Sequence, residues 1–208
     1  MERKREASIT LVQLLSFFEL VVQLKSVKRA GWVLKAGISN PESVSDHTYS
    51  MCAIGMILSD MLGLDTERVM KMIMIHDLAE SIIGDYMLGE IARKKKRTDE
   101  RKAMTYILYQ MPVAVRSNYK GIWKEYQSNK TQLARFVHKL DKLEMAMQAI
   151  WYINEGYPNN MLFQFLDSAI KSLAKFNIDQ DNYGHCDIII EILNSLMKKY
   201  SKIIGYNE

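Results

Sequence analysis

Proline and glycine are scarce in this chain: 3 and 10 among 208 residues. No stretch alternates apolar and polar residues as a half-buried strand does. A sheet-based architecture is therefore set aside, and 14 methionines beside many Leu, Ile and Lys favour a mostly helical protein. There are two cysteines, Cys52 and Cys186, far apart and without a CxxC pattern. That excludes a cysteine-based metal knuckle or a disulfide scaffold and makes a reducing, cytoplasmic setting the expectation. No repeat, low-complexity tract or linker divides the chain, so one all-α domain over 1–208 is expected. The net charge of +4 is modest. It suits a small anionic substrate and does not call for nucleic acid.

A long apolar run free of polar residues is also missing. The nearest approach is Ile9 to Leu24, preceded by Arg3, Lys4 and Arg5. Gln13, Glu19 and Gln23 interrupt it, and no small-x-small cleavage site follows. It is too short and polar to span a bilayer, so no membrane partner is expected. Leu11, Leu14, Leu15, Phe18, Val21, Val22 and Lys25 recur at three-to-four spacing, which reads as an amphipathic core helix over about 8–28.

Residues 29–44 break this periodicity and read as a loop with turn residues. A second helix starts near Ser45 as N-cap and runs to about Leu62, with His47 in its first turn. A third begins at Asp65-Thr66-Glu67. Residues 85–97 are less regular and end in the basic run Arg93 to Arg97, most simply a solvated face from which Lys96 could reach a phosphate. Further helices are expected over 99–109, 113–126, 131–154, 160–176 and 185–203. The 131–154 helix carries the apolar stripe Leu133, Phe136, Val137, Leu140, Leu143, Met147, interrupted by Asp141.

The chain is organised around His76-Asp77, which follows the apolar run Val69 to Ile75. Glu80 lies about one helical turn on, and Asp85 follows a glycine. Four ionisable side chains within ten residues of an apolar segment are costly to bury without a purpose. His-Asp alone is a common dipeptide and means little. The order His47, His76-Asp77, Asp141 means more, because two imidazoles and two carboxylates suit a divalent transition ion with coordination positions to spare.

Three stretches carry a family resemblance: Pro41-Glu42-Ser43-Val44-Ser45-Asp46-His47-Thr48-Tyr49, His76-Asp77-Leu78-Ala79-Glu80 with Gly84-Asp85, and Phe136 to Met145 around Asp141. Arg29-Ala30-Gly31-Trp32 precedes them. Together they resemble the HD-domain phosphohydrolase superfamily, and more narrowly its 5′-deoxynucleotidase group, the HD-domain-containing protein 2 type. The likeness covers about residues 10–176. It implies a single-domain HD helical bundle and hydrolysis of deoxyribonucleoside 5′-monophosphates. It also implies a metal held by His47, His76, Asp77 and Asp141, with Glu80 activating water and Asp85 as a second acid. Arg29 and Trp32 would meet substrate. Mn²⁺ or Co²⁺ fits first, with Zn²⁺, Fe²⁺, Ni²⁺ and Mg²⁺ as further candidates. A homodimer is implied as well. Many relatives have a proline soon after Gly-Asp, whereas Asp85-Tyr86-Met87-Leu88-Gly89 has none. His138 is not carried over. The alternatives are an HD phosphohydrolase for a triphosphate, cyclic or alarmone nucleotide, and a non-catalytic helical binding module stapled by its metal.

Overall fold

The computed structural model describes residues 2–86, 93–178 and 185–204. Of the proline-free stretch Asp85 to Gly89, residues 87–89 lie outside them. The described residues form helices joined by turns, with one isolated bridge, Lys28 to Ser43, and no strand. In order, the helices are α1 (Glu2–Gln23), α2 (Ala30–Ala36), α3 (Val44–Met61), α4 (Thr66–His76), α5 (Glu80–Ile83), α6 (Arg93–Gln110), α7 (Val113–Ser128), α8 (Gln132–Asn154), α9 (Asn159–Ile178), α10 (His185–Lys199) and α11 (Ser201–Ile204).

Helix α8 is the axis. Ala134, Val137, Leu140, Leu143, Ala146, Ala149, Ile150 and Ile153 are buried on several sides of it, as in a helix surrounded by others. Helices α3, α4, α7, α9, α10 and α11 all pack on it. α3 approaches α4 and α8 at Gly55, where a Cβ would stand 2.6 Å from Ile73 Cδ1 and 2.8 Å from Leu140 Cδ2. Only glycine allows the three backbones this spacing without displacing a side chain.

The expected loop at 29–44 contains a helix, α2. It is seven residues long, too short for periodicity to reveal. Gly37, at φ +67°, closes it by donating to the Val33 carbonyl, while Ile38 donates to that of Trp32. The N-cap of α3 is Ser43 rather than Ser45. Ser43 Oγ accepts from Asp46 N at 3.1 Å and Asp46 Oδ2 accepts from Ser43 N at 2.8 Å, a reciprocal box that Ser45 could not form because the residue three on, Thr48, has no carboxylate. Helix α6 begins at Arg93, six residues before the expected start. In α1 most of the apolar stripe points outward: Leu15 is 60 % and Phe18 54 % exposed, with Leu11 and Val22 alike, while Val21 of that stripe meets the core together with Phe17, Leu20 and, just past the helix end, Leu24. The expectation of a core helix therefore holds for the opposite side of α1. No described helix is long and apolar enough to cross a membrane.

Backbone ties place the site. Arg29 N donates to the Glu42 carbonyl at 3.1 Å and Val44 N to that of Val27 at 2.8 Å. The chain entering α2 is thus stitched to the chain entering α3, which brings Arg29 beside the first turn that holds His47.

Candidate active site

His47 is fully buried in the first turn of α3. Its Nδ1 meets Glu144 Oε2, and its Nε2 lies 3.3 Å from Asp141 Oδ1. Both acids come from α8, one turn apart on one face. His76 is the last residue of α4, and its Nδ1 donates to the Ile73 carbonyl at 2.6 Å. A carbonyl only accepts, so the proton of a neutral ring sits on Nδ1 and the lone pair on Nε2. That Nε2 lies 3.0 Å from Asp77 Oδ2.

Asp77 caps α4 rather than continuing it. The chain turns there, and Glu80 N donates back to the Asp77 carbonyl at 2.9 Å. The continuous helix expected through Glu80 is therefore broken, yet the tight turn still returns Glu80 to the same side. Gly84, at φ +76°, ends α5 and releases Asp85, whose Oδ2 accepts from Ala30 N at 2.8 Å.

Three buried side-chain atoms here have no hydrogen-bond partner among the described residues: His47 Nε2, His76 Nε2 and Glu80 Oε2. Ligand atoms of His47, His76 and Asp77 all lie within 4.8 Å of one another, and Asp141 adjoins the set through His47. An ion bound at about 2.0–2.2 Å keeps neighbouring ligand atoms about 3 Å apart, which is the spacing seen for both His–Asp pairs. The donor set and its orphaned atoms fit a divalent cation.

The electrostatics agree. Burial works against ionised Asp77, but His76, Arg29 and His47 hold it well below the usual carboxylate range. Burial likewise opposes Asp141, and Lys142, His47 and Arg29 outweigh it. Burial and Arg29 press His47 downward, yet Asp141 and Glu144 carry it up to about 9. The site draws positive charge. Glu80 is the exception: burial first, then Asp77 and Asp85, push it well above its ordinary value, against Arg29 and Lys96.

Above these groups opens a cavity of about 290 Å³ lined on this side by Arg29, Asp77, Glu80, Asp85, Lys96 and Asp141. Arg29 Nη1 is 3.6 Å from Asp77 Oδ2, and burial fails to lower its guanidinium because Asp141, Asp77, Asp85 and Glu42 surround it. Trp32 also lines the cavity but is only 1 % exposed. Tyr152 and Phe165 flank its ring, and its Nε1 donates to Glu42 at 2.8 Å. Lys96 Nζ donates to the Tyr86 carbonyl at 2.9 Å and stands 3.9 Å from Glu80. His138 faces elsewhere, stacked on Tyr126 and bonded to its carbonyl.

The sequence reading missed Glu144 and Glu42. Glu144 was visible as a second acid three residues after Asp141 in the apolar stripe. Glu42 gave no signal apart from its place beside Ser43. Burial, then Glu144, push Glu42 up to about 7, against Arg29 and His47.

The HD domain family matches residues 21–177. Among curated relatives, the 5′-deoxynucleotidase HDDC2 of Homo sapiens is 37 % identical over 165 residues, covering 79 % of this chain and 78 % of its own. That of Danio rerio is 33 % identical over 194 residues, covering 92 % and 90 %. Among solved structures, a conserved hypothetical protein from Pyrococcus furiosus superposes with a TM-score of 0.70 at 31 % identity, over 87 % of this chain and 99 % of that one. With the family pattern spanning the helices that carry His47, His76-Asp77 and Asp141, and with relatives alike over most of their length, this chain belongs to the HD domain family.

Proposed function

We propose that the chain is a divalent-metal-dependent 5′-deoxynucleotidase, hydrolysing deoxyribonucleoside 5′-monophosphates to deoxynucleoside and phosphate. One observation carries the chemistry: the Nε2 atoms of His47 and His76 and Oε2 of Glu80 are buried without a hydrogen-bond partner among the described residues, and ligand atoms of the two histidines gather with Asp77 within 4.8 Å beside an open cavity that Glu80 and Asp141 also line. The printed names of the curated relatives support the substrate class.

His47, His76, Asp77 and Asp141 would hold the ion, and Mn²⁺ or Co²⁺ is compatible with two imidazoles and two carboxylates. When bound, that ion polarises phosphoryl oxygen and makes water more acidic. Arg29, kept cationic by the acids around it, presents a planar fork to the phosphate oxygens. Glu80 Oε2 takes the proton from the attacking water and returns it to the departing 5′-oxygen as the phosphorus–oxygen bond breaks. Asp85, fixed by Ala30 N, and Lys96, close to Glu80, keep this side of the cavity in place. Trp32 holds the wall beside Arg29 through its bond to Glu42. A purely structural metal would be closed off by protein ligands, whereas Asp77 and Asp141 border an open cavity.

The exposed α1 stripe supports a homodimer, since an apolar face of this kind is usually covered in solution. A cytoplasmic setting accords with the free thiol of Cys52. The deciding experiment strips the protein with a chelator, restores single divalent metals, and measures phosphate released from deoxy- and ribonucleoside monophosphates. Metal-dependent release favouring the deoxy series is expected. No release from any nucleotide with any metal removes the proposal.

A further inference from the structure

The cavity extends beyond its charged end, and the mechanism leaves that outer half unused. Arg29, Trp32 and Lys35 fall at successive turns along α2, so Lys35 stands about 9 Å farther along the axis than Arg29. On α8, Met145 comes one turn after Asp141 on the same face, about 6 Å away along the helix. Helix α9 closes this end. Gln164 Nε2 donates to the Lys35 carbonyl at 3.3 Å, and the Phe165 ring lies 4.2 Å from that of Trp32. Ser168 follows one turn beyond Gln164, and both are exposed to the cavity.

The lining therefore changes character along its length. Near Arg29 and Asp141 it is charged. One turn outward it gains apolar groups at Met145 and Phe165 and neutral polar groups at Gln164 and Ser168, with Lys35 as the one cation on that side among the described residues. A nucleotide has the same sequence of chemistries. Its phosphate is anionic, its base is flat with apolar faces, and its base edges donate and accept hydrogen bonds. With the phosphate at Arg29, the sugar spans the intervening turn and the base reaches the outer end.

On this basis, and resting on the nucleotidase reading, we infer that Met145 and α9 form the nucleobase subsite. Met145 and Phe165 supply the apolar face, and Gln164 and Ser168 meet the base edge and set the preference among bases. Gln164 Nε2 already donates to the Lys35 and Met161 carbonyls, so Gln164 offers its Oε1 as an acceptor, while the Ser168 hydroxyl offers both a donor and an acceptor. Their exposure makes those contacts weakly discriminating. The subsite therefore accepts all four bases with graded preference.

The test uses the full-length, manganese-loaded protein. Kinetics are measured for the four deoxynucleoside monophosphates and for 2-deoxyribose 5-phosphate, which has no base, taken as substrate or as competing inhibitor. Ser168→Trp fills the outer end from an exposed position. It raises KM for the nucleotides about tenfold while shifting the value for the baseless sugar phosphate less than about twofold. Met145→Ala removes the apolar contact and raises nucleotide KM about three- to tenfold. Gln164→Leu removes the Oε1 acceptor and shifts relative kcat/KM away from bases that present an amino group. Unchanged nucleotide KM in Ser168→Trp and Met145→Ala overturns the subsite, as does an equal effect on 2-deoxyribose 5-phosphate, while the nucleotidase reading stands. A wild-type protein inactive on every nucleotide overturns both.

Discussion

Glu144 presents a carboxylate oxygen to Nδ1 of His47, while the other nitrogen of the same ring faces Asp141. One helix thus supplies both neighbours of one imidazole, three residues apart. The inner acid fixes which way the ring faces and leaves Nε2 directed at the cavity. Partners of this kind typically contribute 10–100-fold to metal affinity.

Glu144→Gln is expected to weaken metal binding by about that factor, with Glu144→Ala weaker still because it leaves a buried ring N–H without a partner. Titration of the stripped protein with Mn²⁺ gives the affinity directly. An unchanged affinity in both variants makes Glu144 a packing residue only.

Glu80→Ala separates proton transfer from metal holding. The four proposed ligands remain, so metal content per chain should stay at the wild-type value. Loss of a general base lowers kcat by about 10²–10⁴-fold. Asp77→Ala should lose the ion and the activity together. Elemental analysis beside phosphate release distinguishes them, and full activity in Glu80→Ala would transfer the base role to Asp85.

Burial pushes the Cys52 thiol up to about 11. Its raised value means that the folded chain holds the proton more tightly than the unfolded chain does. The associated stability is present below the unfolded value and is lost as pH rises through about 11. Cys186→Ser leaves Cys52 as the sole thiol of the chain. Alkylation at pH 8 should then be slow in the native protein and fast in denaturant. Equal rates would show that the thiol is open.

Gly55→Leu should unfold or severely destabilise the protein, since even a Cβ meets Ile73 and Leu140 closer than contact. Gly55→Ala meets only the flexible ends of those side chains and should cost about 1–3 kcal/mol. Chemical denaturation of both variants measures the difference. A neutral Gly55→Ala would mean that α3 and α4 separate easily.

The outward α1 stripe predicts a dimer that a charge can split. Wild type should scatter light at twice the 24.1 kDa of one chain, and Phe18→Glu at close to that single mass. A monomeric wild type at micromolar concentration removes the pairing proposal.

The helices were largely legible because their apolar residues recur with the right period. Helix α8 is an example: it runs over Gln132–Asn154 against the expected 131–154, with Thr131 as its N-cap. What periodicity cannot say is which environment a stripe faces. Leu11, Leu15, Phe18 and Val22 share one side of α1, and the sequence reads the same whether that side meets the core or solvent. Ser43 and Ser45 are both sound caps by type, and only the reciprocal bond with Asp46 decides between them. The candidate ligands were legible from residue chemistry and order. The roles of Glu144 and Glu42 depend on helices distant in sequence meeting at His47, which local pattern does not encode.

The stitching of 27–29 against 42–44 means that Arg29 and His47 are mounted on one piece of backbone. The backbone spacing between Arg29, the proposed phosphate fork, and His47, a proposed ligand, is set before any substrate arrives. The backbone beneath both groups acts as one gauge, and the bond from Ala30 ties the arm at Gly84-Asp85 to it as well.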